Sequence, residues 1–174
     1  MKKKKKKIVK VFIVDDSAFL GERLITMLSE LKGIEIIGQA KGPTEAIEAL
    51  TKLKPDAVIL DIRMPGGNGI EVLKNIKKDM NPPLVIMFTN YPYPQYRKKC
   101  MDGGADFFFD KSTEFEKLTE VLKKLIRALL RITKAYFLGF GTASSPHPSS
   151  GKSKLKLRKS PIALLFECDL MAKE

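Results

Sequence analysis

The chain has 174 residues, 44% of them hydrophobic, enough for one domain with a full core and some surplus. No apolar stretch approaches the roughly 20 residues of a membrane span, and the basic N-terminus lacks the apolar run of a secretory signal. The two cysteines, Cys100 and Cys168, form no close metal-type pair and suit a reduced, cytoplasmic setting.

A net charge of +12 points to nucleic acid only until it is divided by region. Residues 1–10 hold seven lysines and no acid, residues 11–132 hold 18 basic against 17 acidic residues, and residues 133–174 hold seven against three. The central part is nearly neutral, so the charge sits in two tails. A lysine run of this kind reads as a solvated tail, able to meet nucleic acid or anionic membranes only without sequence specificity. No specific nucleic-acid binding is expected.

In chain order, strand-like and helix-like patterns alternate from residue 8 onward. The strands read as 8–14, 34–40, 57–60, 84–88 and 106–109. The third and fourth are almost purely apolar, as strands covered on both faces are. Between the first two, Leu20, Leu24, Met27, Leu28 and Leu31 recur at helical spacing. Ala46, Ile47, Leu50 and Leu53 do so in a second helix, opened by Pro43 and Thr44 and stopped before Pro55. A third helix runs from about Gly69 to Lys77 and buries Ile70, Leu73 and Ile76.

Segment 92–102 is a poor helix, anchored by Tyr96 and Cys100, and weak packing there predicts a mobile stretch. The last helix is the clearest. Thr113 and Glu116 have capping-box spacing, and Phe115, Leu118, Val121, Leu122, Leu125 and Leu129 line one face. This alternation predicts an α/β domain, residues 8–133, built on a five-stranded parallel sheet with helices on both faces. Residues 1–7 form a basic tail. Residues 134–174, rich in Gly, Ser, Pro and Lys and then briefly apolar, read as a linker and basic low-complexity tail without a recognisable output domain.

Four strands each end in polar chemistry: Asp15 and Asp16 after the first, Asp61 after the third, Thr89 after the fourth, Lys111 after the fifth. In an open parallel sheet those ends share one edge, where such folds bind ligands. Three acids, a hydroxyl and an amine there describe a site for a divalent cation and a phosphoryl group. Magnesium favours oxygen ligands and is commonly held by one or two carboxylates plus phosphate oxygens. Asp61, at the mouth of a Gly-rich turn expected to leave it accessible, is placed to attack phosphorus and form an aspartyl phosphate.

These residues carry a family resemblance. Val14-Asp15-Asp16-Ser17, the run Asp61-Ile62-Arg63-Met64-Pro65-Gly66-Gly67-Asn68-Gly69, the strand-ending Thr89, and Gly104-Ala105-Asp106-Phe107-Phe108-Phe109-Asp110-Lys111 occur in order. Over roughly residues 8–131 the chain resembles the receiver domain of two-component response regulators, most like the single-domain chemotaxis type. The resemblance implies a flavodoxin-like, doubly wound sheet of strand order 2-1-3-4-5. It implies Asp61 as phosphoacceptor for a histidine kinase or phosphotransfer protein, with Lys111 and Thr89 contacting the phosphoryl group. It places Mg2+ on Asp16, Asp61 and the backbone carbonyl of Arg63, with Asp15 assisting through water. Thr89 and Phe108 match the family's switch pair, whose movement remodels the face of helix 4, strand 5 and helix 5 for a downstream protein target.

Three departures stand out. Asn90 replaces a usually smaller residue, and the bulky Arg63 and Tyr91 are expected to border the phosphate and slow its hydrolysis. Ser112 replaces a frequent proline; a cis bond costs about 2–3 kcal/mol more before serine, so a trans bond or local strain is expected. Two other functions compete. A Mg-dependent aspartyl-phosphate phosphohydrolase of the haloacid dehalogenase type places a general acid two residues after its nucleophile, where this chain has Arg63. A nucleic-acid-binding regulator acting through its tails would bind only in a salt-sensitive way. The sequence favours a phosphoacceptor regulator over an enzyme.

Overall fold

The computed structural model describes residues 8–137, with side chains through Leu130 except Leu129. The basic N-terminal tail, residues 1–7, and residues 138–174 of the expected C-terminal linker and tail lie outside the described residues, as does the side chain of Leu129 in the expected helical stripe. The elements, in order, are β1 Val9–Val14, α1 Ala18–Ser29, β2 Ile34–Ala40, α2 Pro43–Leu53, β3 Ala57–Leu60, β4 Arg63–Met64, β5 Gly67–Asn68, α3 Gly69–Ile76, β6 Leu84–Thr89, α4 Pro94–Asp102, β7 Phe107–Asp110 and α5 Phe115–Phe137.

Five strands form one parallel sheet in the order β2-β1-β3-β6-β7. Counting only these five, the order is 2-1-3-4-5, the flavodoxin-like topology expected. The short β4 and β5 pair antiparallel, Arg63 opposite Asn68, and turn the chain between Asp61 and α3. Gly66 takes φ +80 in that turn, a conformation glycine adopts without steric cost.

Because alternate side chains of a strand face opposite sides, one sheet feeds two cores. Phe12, Val14, Val58, Leu60, Val85, Met87 and Phe108 pack toward Leu50 of α2, Leu73 of α3 and Cys100 of α4. Val11, Ile13, Ile59, Ile86 and Phe88 pack toward Leu24 and Leu28 of α1 and Leu118, Leu122 and Leu125 of α5. Every residue of β3 and β6 is buried, so the two purely apolar runs are the central strands.

Some boundaries move for identifiable reasons. Ile8 is exposed, and β1 pairing starts at Val9 opposite Ile34. Leu53 is exposed at the end of α2. Pro94 opens α4, which buries only Cys100 fully. β7 begins at Phe107 because the Asp106 carboxylate turns back to accept from the Val85 N–H at 2.7 Å and from Lys77 Nζ at 2.7 Å. The Thr113–Glu116 capping box does not form. The Glu114 carboxylate instead accepts the Asp110 N–H at 2.9 Å, and Thr113 donates to Asp110, so α5 starts at Phe115 and Glu116 sits too early in it. Its backbone runs on to Phe137, past the expected close at residue 133.

Candidate functional site

Asp15, Asp61 and Lys111 each follow their strand directly and are fixed through their backbone, while Thr89 is the last residue of β6. The Asp15 N–H donates to Ala40 O at 3.0 Å, Asp61 N–H to Val14 O at 2.9 Å and Lys111 N–H to Thr89 O at 3.0 Å. These bonds continue the sheet ladder one residue beyond the strands, so the positions of the side chains are inherited from strand register.

Lys111 reaches from the edge strand across β6 to the middle of the sheet. Its Nζ donates to Asp15 Oδ2 at 2.5 Å and to Asp61 Oδ2 at 2.7 Å. The other oxygens are also engaged: Asp15 Oδ1 accepts from Ser17 N–H at 2.9 Å, and Asp61 Oδ1 from Ile62 N–H at 2.6 Å. Ser17 in turn caps α1. Asp61 is only 5% exposed, which corrects the expectation of an open carboxylate: its two oxygens are taken by the Ile62 N–H and Lys111, and α3 starts against its backbone. A Cβ at Gly69 would lie 1.8 Å from Asp61 O, so only glycine allows that approach. Asp16 is the exposed acid of the group.

Asp15, Asp16 and Asp61 each offer a carboxylate oxygen, all within 4.8 Å of one another. One ammonium does not balance three such acids. Burial pushes the Asp15 carboxyl above its usual range, with Lys111 pulling the other way. A hard oxygen-donor set with surplus negative charge fits a small divalent cation.

Thr89 is fully buried, and its hydroxyl oxygen accepts from Tyr91 N–H at 3.3 Å. Phe108 lies inward, 3% exposed. Beside it stands a residue the sequence did not single out. Arg97 of α4 stacks on the Phe108 ring, 4.6 Å to its centroid, and donates from Nη1 to Phe108 O at 3.2 Å. Arg63 leans over the Tyr91 ring at 4.2 Å, and the nearby Tyr96 and Tyr91 hydroxyls push the guanidinium pKa above its ordinary value. Asn90 is exposed between these groups. No cis peptide bond occurs among the described residues, so Lys111–Ser112 is trans.

A family model, the response regulator receiver domain, matches residues 11–123. The chain belongs to that family. The receiver domain is 36% identical over 128 residues to a protein-glutamate methylesterase/protein-glutamine glutaminase of Alkalilimnicola ehrlichii, covering 70% of this chain and 33% of the relative. It is 36% identical over 117 residues to the sensory transduction protein LytT of Bacillus anthracis, covering 67% and 47%. The chain thus spans between a third and about half of the length of these curated relatives.

Among solved structures, the response regulator domain of Thermotoga maritima CheB is similar, with TM-score 0.61 and 33% identity over 71% of this chain and 97% of that one. So is a chain of the CheX-CheY-BeF3-Mg2+ complex of Borrelia burgdorferi, with TM-score 0.58 and 31% identity over 66% and 89%. A receiver domain of a two-component system with an acidic pocket at its carboxyl edge is therefore in hand. No helix among the described residues is long and apolar enough to cross a membrane.

Proposed function

We propose that this receiver domain accepts a phosphoryl group on Asp61 in a Mg2+-dependent reaction and signals by docking a downstream protein. The observation that carries the reading is the Lys111 amine bridging Asp15 and Asp61 at the sheet edge, with Asp16 beside them. An oxygen of Asp61 attacks phosphorus, the bond from phosphorus to the donor breaks, and the leaving group keeps the electron pair. The donor class is a phosphohistidine on a histidine kinase or phosphotransfer protein. Lys111 then pairs with a phosphoryl oxygen, and Thr89 donates its hydroxyl to another. Asp15, Asp16, Asp61 and the Arg63 carbonyl would hold Mg2+, which neutralises phosphate charge when bound; the Borrelia relative is a complex with that ion.

Output runs through the face of α4, β7 and α5, with Thr89 and Phe108 as switch pair. A phosphoryl group shifts this face only through contacts it makes in one state and not the other. A mobile α4 would suit that role. The chain acts as a cytoplasmic regulator rather than an enzyme, with residues 8–133 as the receiver unit between two basic tails. A phosphohydrolase is disfavoured because the general-acid position holds Arg63, a group that keeps its proton and stacks on Tyr91.

The test is intact-mass analysis after incubation with a phosphodonor and Mg2+, comparing wild type with Asp61→Ala. A phosphoryl adduct should appear on wild type alone and need the metal. No adduct on wild type, from a small donor or a panel of kinases, would overturn the reading.

A further inference from the structure

Lys111 has an unusual task for a residue on an edge strand. Its amine must arrive between two carboxylates that belong to β1 and β3, while its backbone has a hydrogen-bonded neighbour, β6, on one side only. A lysine stem has about 2 kcal/mol of rotamer freedom to lose, so the place of its Cα decides where the amine can settle at low cost. The backbone bond to Thr89 fixes Lys111 from before; what fixes it from behind lies in the turn to α5.

That turn is organised by Asp110. Its Oδ1 accepts from Ser112 N–H at 2.8 Å and from Ser112 Oγ at 2.6 Å, and its Oδ2 accepts from Thr113 Oγ1 at 3.2 Å. Its backbone exchanges two bonds with Glu114: Glu114 N–H donates to Asp110 O at 2.9 Å, and Asp110 N–H to Glu114 Oε2 at 2.9 Å. Every polar atom of Asp110 is thus bonded to residues on the far side of Lys111, which the two arms straddle. Aspartate is otherwise out of place at the end of a strand of three phenylalanines. Its carboxyl is held below the usual range, first by the Ser112 hydroxyl, so these are bonds to an ionised acceptor, the stronger kind.

We propose that Asp110 is a positioning residue: its carboxylate locks the turn that carries Lys111 and so sets the Lys111 amine between Asp15 and Asp61. The position claim stands on the turn itself; its consequence for phosphorylation rests on the phosphoacceptor reading. Ser112 and Thr113 supply the donors, and the turn is closed by a side chain rather than by a rigid ring after the lysine.

Two readouts on the full chain test this separately. The first is amine labelling with an acylating reagent, read residue by residue by mass spectrometry. Lys111 and Lys77 are both buried, but Lys77 lies toward the opposite edge of the sheet, among Pro83 O and Asp106. Asp110→Ala should raise labelling of Lys111 several-fold and leave Lys77 protected, and Asp110→Asn, which keeps one acceptor, should restore most of the protection. Unchanged Lys111, or a parallel rise at Lys77, would overturn the proposal.

The second readout is the rate of Asp61 phosphorylation by a small phosphodonor. Asp110→Ala should lower the maximal rate about tenfold with little change in the half-saturating donor concentration. In a Lys111→Ala background the same substitution should make no further difference. A full additional loss there would overturn action through Lys111. Absence of any adduct on wild type would count against the phosphoacceptor reading alone, because labelling decides the position of Lys111 without it.

Discussion

At the scale of single residues, the pocket is defined by what surrounds Asp61, the proposed phosphoacceptor, as much as by the acids. Arg63 and Tyr91 sit two residues beyond Asp61 and Thr89, and they are held together by a cation–π contact. Such contacts contribute about 0.5–1 kcal/mol at exposed sites, enough to keep two bulky groups in place at the rim. On the proposed phosphorylation of Asp61, a hydrolytic water would have to approach phosphorus past them. The Arg63→Asn, Tyr91→Ala variant should therefore lose its phosphoryl label faster than wild type, by about tenfold, equivalent to about 1.4 kcal/mol of barrier. A label-loss time course checks this, and equal decay in both proteins would remove the rim from the account. The pair was visible in the sequence by position alone; its geometry was not, since nothing in residue spacing says that Arg63 turns onto the Tyr91 ring rather than toward the acids.

At the scale of elements, legibility followed the strength of the local signal. The alternation of β3 and α3, or β6 and α4, was readable because buried parallel strands are apolar throughout and their helices are not. Strand ends were readable for the same reason, which is why Asp15, Asp61, Thr89 and Lys111 could be placed on one edge. What escaped were polar contacts that close long loops in sequence. Lys77 and Asp106 look like ordinary surface residues in their own segments, yet they meet with side-chain exposures of 0% and 6% and tie the end of α3 to the starts of β6 and β7. Burial lowers the Lys77 pKa, with Asp106 opposing the shift. Removing one member strands the other in a dry place. Asp106→Ala should cost about 3 kcal/mol or more in urea unfolding, as broken buried pairs do. Asp102→Ala, which breaks the exposed Lys98–Asp102 pair within α4, should leave the midpoint where it was. A similar shift for both variants would mean that Asp106 matters through local propensity rather than through its buried partners.

At the scale of the whole molecule, charge and chemistry are separated along the chain. Residues 11–132 carry 18 basic and 17 acidic residues and contain every group of the candidate site, whereas residues 1–7 alone hold six lysines. Affinity for nucleic acid driven by such a run comes from released counterions, so it falls steeply with salt and is indifferent to sequence. For duplex DNA each phosphate neutralised contributes about −0.9 to the slope of log K against log salt. Deleting residues 2–7 should therefore make that slope shallower by up to about 5, while Asp61 phosphorylation by a small donor is unchanged. The measurement is binding to two unrelated duplexes across a salt series, with the full and shortened chains side by side. If the shortened chain keeps the slope, or separates the two duplexes, a face of the receiver domain itself reads nucleic acid. If slope and phosphorylation fall together, the lysine run and the acidic pocket act on each other across the sheet, which its position before β1 and the nearly neutral central region do not predict.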